Sequence, residues 1–71
     1  MGINNPTAYA LAGARRAARR FRIIDEMDVA AESGTTDHRA RMSAIGLMVR
    51  NRELHPVPGR LGMYRSASYA S

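Results

Sequence analysis

Between Thr7 and Phe21 the chain is built mainly from alanine, leucine and arginine, and the two kinds of side chain sort onto opposite sides of a helix. Ala10, Leu11, Ala14, Ala17, Ala18 and Phe21 share one arc, and Arg15, Arg16, Arg19 and Arg20 fall on the other. Asn5 is placed to cap this helix, and Pro6 suits its first turn. The small alanine face permits close approach to another helix. With 71 residues there is room for one domain and a small core. The chain has no cysteine, so neither a disulfide nor a thiolate zinc site can reinforce it.

The remaining segments change character in order. Arg22-Ile23-Ile24 is a β-branched patch that fits a brief strand or a tight connection. Asp25 then caps a second helix, with Glu26 and Asp28 near its positive end and Met27, Ala30 and Ala31 as the inward stripe, Val29 at its edge. Ser33-Gly34 closes it, Gly34 taking a left-handed conformation. Thr36 or Asp37 caps a third helix running to about Arg52, with Met42, Ile45, Met48 and Val49 as its buried face. Glu53 to Val57 reads as extended, Pro58 to Gly62 as a turn, and Met63 to Arg65 as a returning strand. Pro56 suits an edge position. Tyr9 and Phe21 are expected in the core, Tyr64 over the hairpin, and the methionines at 27, 42, 48 and 63 as core filler. Residues 1–6 form a lead-in, 7–65 the domain and 66–71 a loose tail.

Helix, short strand, helix, glycine turn, helix and hairpin, in that order, resembles the winged helix-turn-helix family. The carriers are Asp28-Val-Ala-Ala-Glu-Ser-Gly34-Thr35-Thr36, similar to the family's turn between helices, and Leu47-Met-Val-Arg-Asn-Arg-Glu-Leu54 with Pro58-Gly-Arg-Leu-Gly-Met-Tyr-Arg65, similar to the passage from recognition helix to wing. Asn51 stands where the family often has a glycine at that passage, and asparagine tolerates positive φ. The resemblance implies an α+β, mainly α fold: a three-helix winged helix-turn-helix with a C-terminal β-hairpin wing. It also implies that the third helix enters the major groove. Its DNA-binding residues would be Thr35, Thr36, His38, Arg39, Arg41 and Ser43, with Arg60 at the wing tip and Arg65 as a weaker phosphate candidate. Arg39 is the first choice for reading a guanine edge, Arg41 and the hydroxyls for holding phosphate, and Arg50 is a weaker phosphate candidate.

Charge points the same way. The formal net charge is +5, and all eleven basic residues are arginine. GC-rich codon usage explains much of this, and selection for bidentate contacts to phosphate and guanine is compatible with it. An anionic partner follows in either case, and duplex DNA is the first expectation, bound by a homodimer or beside a larger protein partner. Arg15, Arg16, Arg19 and Arg20 form a secondary basic face, open to phosphate, solvent or an acidic partner.

Catalysis is not expected. His38 and His55 match no metal spacing, there is no glycine-rich phosphate loop, and the acidic cluster of Asp25, Glu26, Asp28 and Glu32 reads as helix capping. No metal or other cofactor is implied. No apolar run spans a bilayer and the first residues lack a secretory pattern, which favours a cytoplasmic, nucleoid-associated location without a membrane partner. Two other functions fit the composition. One is a protein-interaction module, of the kind a bacteriophage encodes to modulate a host protein, docking through the alanine-rich helix or the arginine face. The other is an RNA- or ribosome-associated protein.

Overall fold

The alanine arc is buried. In the computed structural model, which describes residues 5–69, helix α1 spans Pro6–Arg20 and hides Ala10, Gly13, Ala14, Ala17 and Ala18. The Asn5 side chain accepts the Ala8 N–H at 3.2 Å and caps it. Helix α2 (Glu26–Ser33) and helix α3 (His38–Arg50) both pack on α1. At Gly13 the approach is at its tightest: a Cβ there would stand 2.4 Å from Ser33 Cβ and 2.7 Å from Ser33 Cα. The large side chains that fill the core come from the other elements, Ile24, Val29, Ile45, Met48 and Leu54. Small residues on one helix thus meet large ones on its neighbours, the complementarity that lets a small core reach native packing density.

Three short strands complete the domain: β1 (Ile23–Ile24), β2 (Leu54–Pro56) and β3 (Tyr64–Ser66). They form one antiparallel sheet in the order β1-β3-β2, with Ile23 opposite Arg65, Ile24 opposite Tyr64, and Leu54, His55 and Pro56 opposite Ser66, Arg65 and Tyr64. Pro56 is tolerated because β2 is an edge strand. The pleat sends Ile24, Leu54 and Ser66 inward and leaves Ile23, His55 and Arg65 on the outer face. Ser66 also ties the sheet to the end of α1. Its N–H donates to the Arg22 carbonyl and its hydroxyl to the Phe21 carbonyl, each at 2.8 Å.

The helix boundaries follow their caps. Asp25 and Asp28 make a reciprocal capping box at the start of α2, and Gly34 ends that helix at φ 71°. Asp37, rather than Thr36, caps α3 by accepting the Ala40 N–H at 3.2 Å. Helix α3 stops at Arg50, two residues earlier than its sequence implies, in a Schellman closure: Glu53 N–H donates to the Met48 carbonyl at 2.7 Å and Arg52 N–H to that of Val49 at 3.1 Å. The left-handed residue of that closure is Arg52 at φ 63°, not Asn51, whose φ is −85°.

Several burial expectations are overturned. Tyr9 is 57% exposed and Phe21 41%, because α1 turns its alanines inward and the chain leaves the helix before Phe21 can follow them. On α2 the inward residue is Val29; Met27 and Ala31 face outward, since so short a helix presents only a narrow face to α1. On α3, Ala40 and Ala44 replace Met42 beside Ile45 and Met48. Of the methionines assigned to the core only Met48 is fully buried. Ser66, assigned to a loose tail, is a buried member of β3, and Pro6 belongs to α1 rather than to a lead-in. Residues 1–4 and 70–71 of the lead-in and tail lie outside the described residues.

Candidate nucleic-acid interface

The turn between α2 and α3 is built from its own hydroxyls. Ser33 Oγ donates to the Val29 carbonyl at 2.6 Å and accepts the Thr35 N–H at 3.3 Å; Thr35 Oγ1 accepts the Asp37 N–H at 3.3 Å. Thr35 is therefore half-buried and engaged within the turn, whereas Thr36 is exposed. An open cleft beside the turn is lined by Tyr9, Pro6 and residues 33–36. Tyr9, expected in the core, thus stands next to Thr36 at the surface.

Beyond the turn, α3 presents Arg39, Ser43, Gly46 and Arg50 on one exposed stripe, at steps of four, three and four residues. No carboxylate lies on it. Gly46 sits in its middle, and a Cβ added there would meet nothing within 4 Å. The fold gives no packing reason for glycine at this point, and an interior glycine costs a helix about 1 kcal/mol relative to alanine. Its effect is a low section of helix surface between Ser43 and Arg50, over which another molecule can approach the backbone closely.

Arg41 does not belong to this stripe. Its side chain is 12% exposed and lies against α2, where Nε and Nη2 reach Glu26 Oε2 at 3.0 and 2.7 Å and Nη1 donates to the Thr35 carbonyl at 3.0 Å. The expectation that it grips phosphate is corrected: it clamps α2 to α3. His38 is exposed, and its Nδ1 meets the same Glu26 carboxylate. These two partners hold the Glu26 carboxyl below the ordinary glutamate range, the His38 hydrogen bond contributing most. His38 thus stands at the stripe's start but is already engaged.

The secondary basic face is also largely committed. Arg15 makes a two-pronged contact with Glu53, Nε to Oε1 and Nη2 to Oε2 at 3.0 Å each. That contact pulls the Glu53 carboxyl down and raises the Arg15 guanidinium. Arg16 donates to the Glu32 carbonyl at 2.6 Å, and Arg20 pairs with the Glu32 carboxylate. Arg19 alone of this block has no ion pair among the described residues.

Three carboxylates therefore serve as helix caps and the other three in ion pairs. Among the described residues this leaves Arg19, Arg22, Arg39, Arg50, Arg52, Arg60 and Arg65 without a carboxylate partner. Arg22 lies over the Tyr69 ring at 5.5 Å. Arg65 is exposed on the outer face of the sheet, in a row with Ile23 and His55.

Arg60 sits at the end of the β2–β3 finger. Two tight turns follow one another there, closed by Arg60 N–H to the Val57 carbonyl at 3.1 Å and Met63 N–H to that of Arg60 at 3.2 Å. Pro58 and Leu61 take the second position of each turn, and Gly59 (φ 75°) and Gly62 (φ 83°) supply the positive φ that the third requires. Arg60 is exposed between them.

The structure thus places Arg39 and Ser43 on α3 with Thr36 in the turn before it, keeps Arg60 on the finger that follows, and engages Thr35 and Arg41 in contacts within the fold. Sequence reasoning gives Gly46 no role in the interface, ends α3 at about Arg52 and places Tyr9 in the core. Gly46 was legible, because it falls in the same stripe as Arg39 and Ser43. Nothing in the sequence marked Arg52 as left-handed or Tyr9 as exposed. Compared with known protein families, curated proteins and solved structures, the chain gives no match. Among the described residues no helix is long and apolar enough to cross a membrane.

Proposed function

We propose that this chain is a winged helix-turn-helix module that binds duplex DNA, with α3 in the major groove and the β2–β3 finger as its wing. The observation that carries the reading is the stripe on α3: two arginines with no ion pair among the described residues, a serine and a glycine, exposed together without a carboxylate. A helix of this kind fits a groove about 12 Å wide, its arginines reaching base edges or phosphates. Arg39, in the first turn, is the base reader; Arg50, at the other end, holds phosphate; Thr36 and Ser43 add hydroxyl donors. Asp37 opposes this by its charge, but its carboxylate faces the helix N-terminus as a cap. The order of elements supports the reading, because β2 and β3 pair as a finger that follows α3 directly, with Arg60 at its end.

A salt titration tests it. Affinity for duplex DNA should fall steeply as salt rises, since each neutralised phosphate releases counterions. Arg39→Ala should cost about 1–3 kcal/mol and relax sequence preference, whereas Arg60→Ala should weaken all duplexes alike. No binding to any duplex at low salt would overturn the proposal, and preference for structured RNA would move it to the RNA alternative.

A second reading, a protein-interaction module, draws on the exposure of Ile23 (42%) and Met27 (70%). It cannot use the alanine face, which is core, or most of the arginine block, which is paired. A partner captured through Ile23 and Met27 would resist nuclease and salt, and Met27→Glu would abolish its binding.

A further inference from the structure

Leu61 is fully exposed, at 104% of its reference surface, while the next most exposed large apolar side chain, Met27, stands at 70%. It supports nothing in the fold, yet it is held firmly. It occupies the corner of the second tight turn, between Arg60 and Gly62, and that turn is closed at 3.2 Å and followed by the Val57 N–H to Met63 carbonyl bond at 3.0 Å. Its neighbour Arg60 has no ion pair among the described residues. Pro58, at the corner of the preceding turn, is exposed too. The finger therefore ends in a cation flanked by apolar corners on a doubly turned, hydrogen-bonded backbone.

From this we infer that the finger bends the duplex, with Leu61 as a wedge between neighbouring base pairs and Arg60 anchored in the minor groove or on its phosphates beside it. The inference rests on the DNA-binding reading above and adds an activity and a substrate preference to it. A cation at the tip is drawn to the negative potential of the minor groove, which brings the adjacent apolar side chain against the base edges. Water is the alternative environment for Leu61, and an apolar side chain leaves water readily for the apolar faces exposed at an unstacked step. A tip with two closed turns loses little conformational freedom on insertion. Steps that unstack easily, TA and CA/TG, should be preferred where the finger lands, and the preference should be independent of the bases read by Arg39.

Leu61 makes a clean probe because its removal deletes no contact within the protein. The experiment uses the full chain and a duplex of about 30 base pairs carrying TA and CA steps, labelled at its two ends with a donor and an acceptor dye. Wild-type protein at saturation should shorten the end-to-end distance, as a bend of about 20–90° would. Leu61→Ala should melt with wild type, bind roughly tenfold more weakly, and leave the duplex straight when saturated. Leu61→Met should restore the bend. If wild type binds without bending, or Leu61→Ala bends the duplex as wild type does, the wedge is wrong while DNA binding stands. If wild type binds no duplex at low salt, the parent reading fails and takes the wedge with it. Uptake of wild type but not Leu61→Ala by vesicles of mixed neutral and acidic phospholipid, with no bend in the duplex, would assign Leu61 to a lipid surface and also overturn the wedge.

Discussion

Two residues, one within α3 and one just after it, are the reverse of what the local backbone favours. Gly46 is an exposed helix-interior glycine with open space where its Cβ would be, and Arg52 is an arginine at φ 63° in a place that glycine occupies more comfortably. Both choices lower stability, and neither is compensated by a side-chain hydrogen bond or ion pair among the described residues. Gly46→Ala should therefore stabilise the protein by about 1 kcal/mol, and Arg52→Gly by about 0.5–1 kcal/mol. At this size each such gain raises Tm by about 4–8 °C per kcal/mol. If α3 is the binding helix, both variants should also bind duplex DNA more weakly, the first by holding the backbone away and the second by losing a charge. Melting curves and titrations on the same samples check this; a rise in Tm with unchanged affinity would remove the two positions from the interface. Gly13 is the opposite case, a glycine that packing demands. Gly13→Ala drives a methyl into the Ser33 backbone and should destabilise by about 3 kcal/mol, lowering Tm by about 10 °C or more.

At the scale of elements, the pairing of α2 with α3 depends on one carboxylate. Glu26 receives both His38 and Arg41, and its pKa is lowered by the His38 hydrogen bond first and by Arg41 after it. A carboxyl whose folded pKa lies below its unfolded value contributes stability above the unfolded value and loses it as pH falls through the folded one. Glu53, held down by Arg15, behaves alike where the residue after α3 is tied to α1. Stability should accordingly decline below about pH 4.3, the ordinary glutamate value. The Glu26→Gln, Glu53→Gln double variant should show a shallower decline. Denaturant midpoints measured from pH 6 to pH 3 test this; equal slopes for variant and wild type would dismiss both clamps as acid-sensitive elements. The Glu26 clamp withdraws Arg41 from the surface, whereas Arg15, Arg16 and Arg20 keep exposed guanidinium groups beside their glutamates.

Across the whole molecule, neutralisation is unevenly distributed. Every side-chain carboxylate serves a cap or an ion pair, and among the described residues the arginines left without one lie on α3, the turn after it, the finger and the sheet, together with Arg19 of α1 and Arg22 in the connection to β1. Under the proposed DNA binding, salt should act on affinity far more than on folding. Removing Arg50 or Arg60 should lower the slope of log affinity against log salt by about 1 where the residue touches phosphate, whereas Arg39→Ala should act mainly on sequence preference. Arg15→Ala should leave that slope unchanged and reduce stability instead. A slope that responds equally to all four would mean that charge is felt diffusely and that no particular face docks.

Much of the architecture was legible without coordinates, because its signals are local. Asn5, Asp25 and Asp37 cap through bonds three residues long, Gly34 accepts a left-handed turn that few residues tolerate, and the alanine arc of α1 repeats with the helical period. The element order and the finger with its paired glycines follow from such short-range chemistry. What the tertiary structure alone decided is which polar groups remain available. Glu26 finds Arg41 across 15 positions and Glu53 finds Arg15 across 38, and no local rule contains those distances. Burial of Val29 in place of Met27, and exposure of Tyr9 and Leu61, likewise depend on what the rest of the chain places beside each side chain.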